Sequence, residues 1–151
     1  MGYSSIAVAD DSKSVGSPIE ALRWLAKAED DLAVANIVVD APAGVNWAAC
    51  FHAQQATEKA LKAVLVAYGI DFPRSHALER LIALMPAEPA STFDFEAVAE
   101  LTPWAVAGRY PEDIPSPDLP TTRRLIHAAK TVLQNAATVV AGLGPHTTAA
   151  E

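Results

Sequence analysis

The chain has 151 residues, enough for one domain with a real core, and 51% of them are hydrophobic, too many for a disordered segment. A formal net charge of −7 argues against wholesale, non-specific nucleic-acid binding but leaves room for a local basic site. No window holds the roughly 18 uninterrupted apolar residues that cross a bilayer, and the lone Cys50 excludes an internal disulfide.

Residues 1–16 show no sustained period and are expected to form a flexible N-terminal segment. They lack the basic region and apolar run of a secretory signal, which points to a cytoplasmic protein. Ser17-Pro18-Ile19-Glu20 opens the first helix. Ser accepts from the third helical N–H, Pro suits the first turn, and Glu20 is placed to reach back to the Ser17 amide. Leu25, Ala28, Leu32, Ala35 and Val39 recur at three- and four-residue steps, so the helix runs to about Val39. The turn Asp40-Ala41-Pro42-Ala43-Gly44 ends it.

Trp47 to Tyr68 reads as one long second helix, capped by Asn46 and closed by Gly69. Trp47, Phe51, Leu61, Leu65 and Tyr68 mark its seam, and Gln54 and Glu58 complete the same line. A buried carboxylate is costly unless it is paired and hydrogen-bonded, so Glu58 must meet a cation or donor from elsewhere. His52, Gln55, Lys59 and Lys62 form a second, basic stripe. Cys50 lines up with Ala53, Thr57, Ala60 and Val64, the place of a small core residue and not of a nucleophile. Two Ala-rich faces of this helix exceed what one small bundle must bury, which predicts a two-fold homodimer.

Ser75 is the expected cap of a short third helix through Met85, after which Pro86 and Pro89 break the chain. A fourth helix spans about Asp94 to Gly108, bent or restarted at Thr102-Pro103. Arg109 to Pro117 is a proline-rich loop. The last helix runs from about Leu119 to Ala141 on a seam of Leu125, Ala129, Val132, Ala136, Val139 and Leu143, and Gly142, Gly144 and Pro145 stop it. Residues 144–151 are expected to be a flexible tail. No segment alternates as a half-buried strand would. The fold is therefore all-α: an up-and-down antiparallel bundle of about five helices over 17–143. Its expected core is Trp24, Leu25, Leu32, Phe51, Leu61, Leu65, Val132 and Val139.

Four motifs then stand in order along the chain. They are Trp24 to Leu32 (WLAKAEDDL), His52 to Ala63 (HAQQATEKALKA), Pro73 to Leu78 (PRSHAL) and Arg109-Tyr110-Pro111. Together they closely resemble the HEPN domain, whose name stands for higher eukaryotes and prokaryotes nucleotide-binding. The resemblance covers about residues 20 to 141. It implies a helical bundle that usually dimerises in a cytoplasmic prokaryotic protein, often beside a minimal nucleotidyltransferase in a toxin–antitoxin-like pair. Ribonuclease members of the wider superfamily carry Arg, four to six residues, then His. None of the six arginines here stands at that distance before a histidine, since Arg123 and Arg124 are separated from His127 by only three and two residues.

The polar groups admit two kinds of role. Asp31 shares a face with Trp24, Ala28, Ala35 and Val38, and it and Glu58 either fix helix register or orient a base that contacts phosphate. Arg109 is the expected cation for both carboxylates, with Tyr110 beside it, because a guanidinium forks onto carboxylate or phosphate alike. Lys59 and Lys62 with His52 make either a solvated face or an anion-binding wall. His76, at a helix start, is either a packing residue or a secondary anion donor. Arg123 and His127 are read as a surface pair. The phosphate candidates are thus Arg109, Lys59, Lys62, His52 and His76, over a polar network of Asp31, Gln54, Glu58 and Tyr110.

No metal-ligand spacing and no Gly-rich phosphate loop occurs, so no metal, cofactor or catalytic residue is assigned. Three functions follow. The first is a module that binds nucleotide or RNA phosphate as a homodimer, acts with a nucleotidyltransferase partner and makes no use of a membrane. The second is a metal-independent RNase. The third is a purely structural dimerisation bundle.

Overall fold

A computed structural model describes residues 16–106 and 115–143. Ser17 caps α1 (Pro18–Asp40): its Oγ accepts from the Glu20 amide at 3.1 Å, and Pro18 sits in the first turn where no N–H is needed. α2 (Asn46–Ala67) follows after a short turn. Gly69 ends it with φ of +68°, the left-handed conformation that lets the Ile70 amide reach the Leu65 carbonyl at 2.9 Å.

Asn46 does not cap α2. Val45 holds the cap position without a side-chain bond, and Asn46 Nδ2 donates to the Pro117 carbonyl at 3.0 Å. A tertiary acceptor has displaced the local one. The amide therefore ties the start of α2 to the lead-in of α6 (Leu119–Gly142).

Between α2 and α6 the chain returns in short pieces. These are α3 (Leu78–Ala83), α4 (Ala87–Ala90), α5 (Phe95–Ala99) and a 3-10 turn over Thr102–Ala105. Ser75 is not the cap of α3: Ala77 holds that position, while Ser75 Oγ accepts from the Ala77 amide at 3.2 Å. The Leu78 amide is satisfied from across the fold by Thr102 Oγ1 at 3.2 Å, and that hydroxyl donates to Glu79 at 2.5 Å. Pro86 and Pro89 do not simply break the chain. Pro86 holds the cap position of α4 and Pro89 lies in its single turn, where a missing N–H costs nothing. Asp94 caps α5 through the Ala97 amide at 3.2 Å, and the restart expected at Thr102-Pro103 is the 3-10 turn. Asp118 caps α6, accepting from the Thr121 amide at 2.8 Å, and Gly142 is its last residue instead of its stop.

The path is up and down. α1 and α2 form an antiparallel hairpin. The return leg runs opposite to α6, because Thr92 accepts from Asn135 while Glu100 pairs with Arg124, earlier in α6. α6 then lies parallel to α2, with Cys50 beside Thr122 at 3.8 Å. No strand occurs among the described residues. The end segments expected to be loose lie outside those residues, apart from Gly16.

α2 is the centre of the bundle. Ala49, Ala53, Ala56, Ala60 and Ala63 have no exposed surface, because small side chains let α1 and α6 close on two sides of one helix. This overturns the argument for a surplus apolar face: both Ala-rich faces are covered within one chain. Leu25, Leu61, Leu65 and Val132 are core residues as expected, while Trp24, Leu32 and Val139 are partly buried against the core. Trp47 is 40% exposed and Phe51 half-buried, so the seam fails in the first turns of α2, at the end of the bundle. Cys50 is fully buried. Burial pushes its thiol up, opposed by the Thr122 contact, and leaves an inert neutral group.

Candidate functional site

Two carboxylates organise the polar face of the α1–α2 hairpin. Asp31 comes from the middle of α1, and its side chain is only 13% exposed. His52 Nδ1 donates to one of its oxygens at 3.0 Å, and Lys59 Nζ donates to the other. Both partners lie on α2, seven residues apart and so on one side of that helix. An ionised carboxylate only accepts, so Nδ1 carries the hydrogen.

Glu58, on α2, is more deeply placed, with 7% of its side chain exposed. Lys62 Nζ donates to Oε1 at 2.7 Å from the next turn. His76 Nδ1 donates to Oε2 at 3.1 Å from the connector that follows α2. Gln54 Nε2 reaches both Glu58 Oε2 and the His76 carbonyl, each at 3.3 Å, and Gln55 Nε2 donates to Gln54 Oε1 at 2.7 Å. Among the described residues no buried side-chain nitrogen or oxygen lacks a partner. Lys62 also lies 5.5 Å from the Trp24 ring centre and 5.3 Å from that of Phe72, two rings packed edge to face. Ring faces attract the ammonium and hold it in place.

Burial is the largest single influence on Glu58 and favours its neutral form. The Lys62 and His76 hydrogen bonds, the Lys62 charge and the Gln54 bond together outweigh it and hold the carboxyl below its usual range. Two lysines and two imidazoles thus face two carboxylates.

The sequence reading is thus met in part. Asp31 binds donors from a different helix, as expected. Glu58 is buried and paired, but by Lys62 and Gln54 of its own helix and by His76 of a connector. Arg109 and Tyr110 lie outside the described residues. The stripe read as either a solvated face or a phosphate wall is neither alone: His52, Lys59 and Lys62 are all engaged by acids. His76 follows no helix start, since α3 begins at Leu78, and its ring is the most open group of the network at 56% exposure.

Arg123 does not couple to His127; it pairs with Asp40 at 3.2 Å on the surface. The two share instead a groove of about 290 Å3 between α1 and α6, with Asn36 and Lys130, which sequence reasoning missed. The signal was present: Arg123, His127 and Lys130 recur at i, i+4 and i+7. Among the described residues no group of three or more His, Cys, Asp or Glu is placed to hold a metal ion. Nor is any helix there long and apolar enough to cross a membrane.

Residues 21–139 match the family model described as HEPN domain. A crystal structure of an archaeal HEPN homologue superimposes with a TM-score of 0.64 at 25% sequence identity, covering 80% of this chain and 97% of that one. No curated protein matches the chain.

Proposed function

The chain belongs to the HEPN domain family, and from that premise we propose that it binds the phosphate of a nucleotide or of RNA without cleaving RNA by itself. The observation that carries this is the pairing of two basic groups on each carboxylate, His52 with Lys59 on Asp31 and Lys62 with His76 on Glu58. The carboxylates hold the bases in fixed positions, and each lysine ammonium keeps further N–H donors that a phosphate oxygen can accept. Lys59, His52 and His76 are the contacts, with Lys62 positioned behind them by the Trp24 and Phe72 rings. Arg109 joins them on the strength of the family resemblance.

In this reading the protein is a cytoplasmic homodimer that acts beside a minimal nucleotidyltransferase in a toxin–antitoxin-like pair. Support for self-association comes from α1, whose outward side carries Ile19, Leu22 and Ile37 in the open.

Titration of labelled RNA and of a nucleoside triphosphate at low and physiological salt is the test. Affinity should fall with salt, as counterion release requires, and Lys59→Ala and Arg109→Ala should each weaken it by roughly tenfold, the scale of one charge-assisted contact. No binding at low salt would leave a structural bundle. Cleavage by the purified protein, lost in His127→Ala, would make it an RNase.

A further inference from the structure

The opposite flank of α1 carries a different arrangement. Arg123, His127 and Lys130 stand along one stripe of α6, all exposed, and with α1 they enclose the groove of about 290 Å3. Its floor is apolar, formed by Leu32, Val39 and Ile126, and Asn36 stands on the α1 wall. No aspartate or glutamate lines it. The acid nearest in contact is Asp40, which pairs with Arg123 at 3.2 Å, with both partners more than half exposed. Such a pair is weak in water and readily exchanged for a better anion.

This contrasts with the α2 face, where every lysine is already held by a carboxylate. In a chain with a net charge of −7, two cationic side chains, Arg123 and Lys130, beside the His127 ring and around an apolar floor with no lining acid make a locally positive site. Its volume lies near the lower end of the range for small-molecule sites, roughly 300–1,000 Å3, and fits one nucleotide unit better than a polymer segment. Asn36 Nδ2 donates to the Leu32 carbonyl at 3.1 Å, so its amide oxygen is the group it offers to a ligand N–H or O–H.

We propose that the α1–α6 groove is a second anion site that takes a phosphate monoester bearing a flat apolar group, of the nucleoside monophosphate class. The phosphate sits among Arg123, His127 and Lys130, and the base lies on Leu32 and Ile126 with its polar edge toward Asn36. The site goes beyond the phosphate reading of the α2 face and uses none of its residues.

The probes are inorganic phosphate and adenosine 5′-monophosphate, titrated calorimetrically into the full chain at low salt. The histidine ring proton signals are followed by NMR, with His127 identified through His127→Gln. Both probes should shift the His127 ring, the nucleotide should bind at least fivefold tighter than phosphate, and Arg123→Ala and Lys130→Ala should each cost about tenfold. Both side chains are exposed, so the variants should fold, which circular dichroism verifies. Loss of nucleotide binding in Lys59→Ala but not in the groove variants would overturn the groove and keep the α2-face reading. The reverse pattern would keep the groove and remove that reading. Equal affinity for phosphate and nucleotide would overturn the role of the floor, and no binding of either probe would overturn both sites.

Discussion

Glu58 and His76 stand 18 residues apart in the chain, yet the His76 ring donates to the Glu58 carboxylate at 3.1 Å. Gln54 ties the same two residues together by bonding both the carboxylate and the His76 carbonyl. The connector after α2 is therefore fastened to the middle of that helix by polar bonds whose Gln54 and Glu58 ends are buried. Fastening of this kind fixes geometry more than it adds stability, because the gain offsets the cost of burying the charge.

Removing the acid is another matter. Glu58→Ala leaves Lys62, whose side chain is 14% exposed, without its counter-charge. The expected loss is about 3 kcal/mol, the lower end for breaking a buried pair, since His76 can turn to water. Asp31→Ala should cost only about 1 kcal/mol, because Lys59 and His52 are each close to one-third exposed and regain solvent. Urea unfolding of both variants checks the order. Equal losses would mean that depth does not separate the two carboxylates.

Acid should weaken the protein through the same residue. The Glu58 carboxyl is held below its usual range in the folded state, so the unfolded chain binds more protons as pH falls. Its contribution is fully present above the unfolded value of about 4.3 and disappears as pH drops through the lower folded value. The melting-temperature gap between wild type and Glu58→Gln should therefore be widest near neutrality and narrow toward pH 3. A gap that stays constant over that range would show that the Glu58 charge contributes nothing to folding.

Self-association, if it uses α1, should be removable without touching the core. Ile37 is 70% exposed and Leu22 59% exposed, on a helix whose opposite side is packed. Ile37→Asp combined with Leu22→Asp should give a monomer by light scattering at tens of micromolar, with an unchanged circular dichroism spectrum. A dimer that persists in the double variant would place the interface elsewhere.

Much was legible in the sequence because it depends on near neighbours. Helix starts at Ser17 and Asp94, the end at Gly69 and the buried line through Gln54, Glu58, Leu61 and Leu65 all follow from side chains a few residues apart. The helical class and the need of Glu58 for a partner follow from the same local chemistry.

What the tertiary structure decided is where each group finds its second partner. Asn46 offered a cap and took the Pro117 carbonyl; Ser75 offered a cap while Thr102 satisfied the Leu78 amide. The basic stripe of α2 looked free in sequence, but folding brought Asp31 across to His52 and Lys59. Lys130 and Asn36 gained meaning only when α1 and α6 closed a groove between them. Periodicity records which side of a helix faces inward, because that depends on 3.6 residues per turn. It carries no record of which other helix arrives there, since hydrophobic burial is non-directional and the choice among polar partners is made only after packing brings them within about 3 Å.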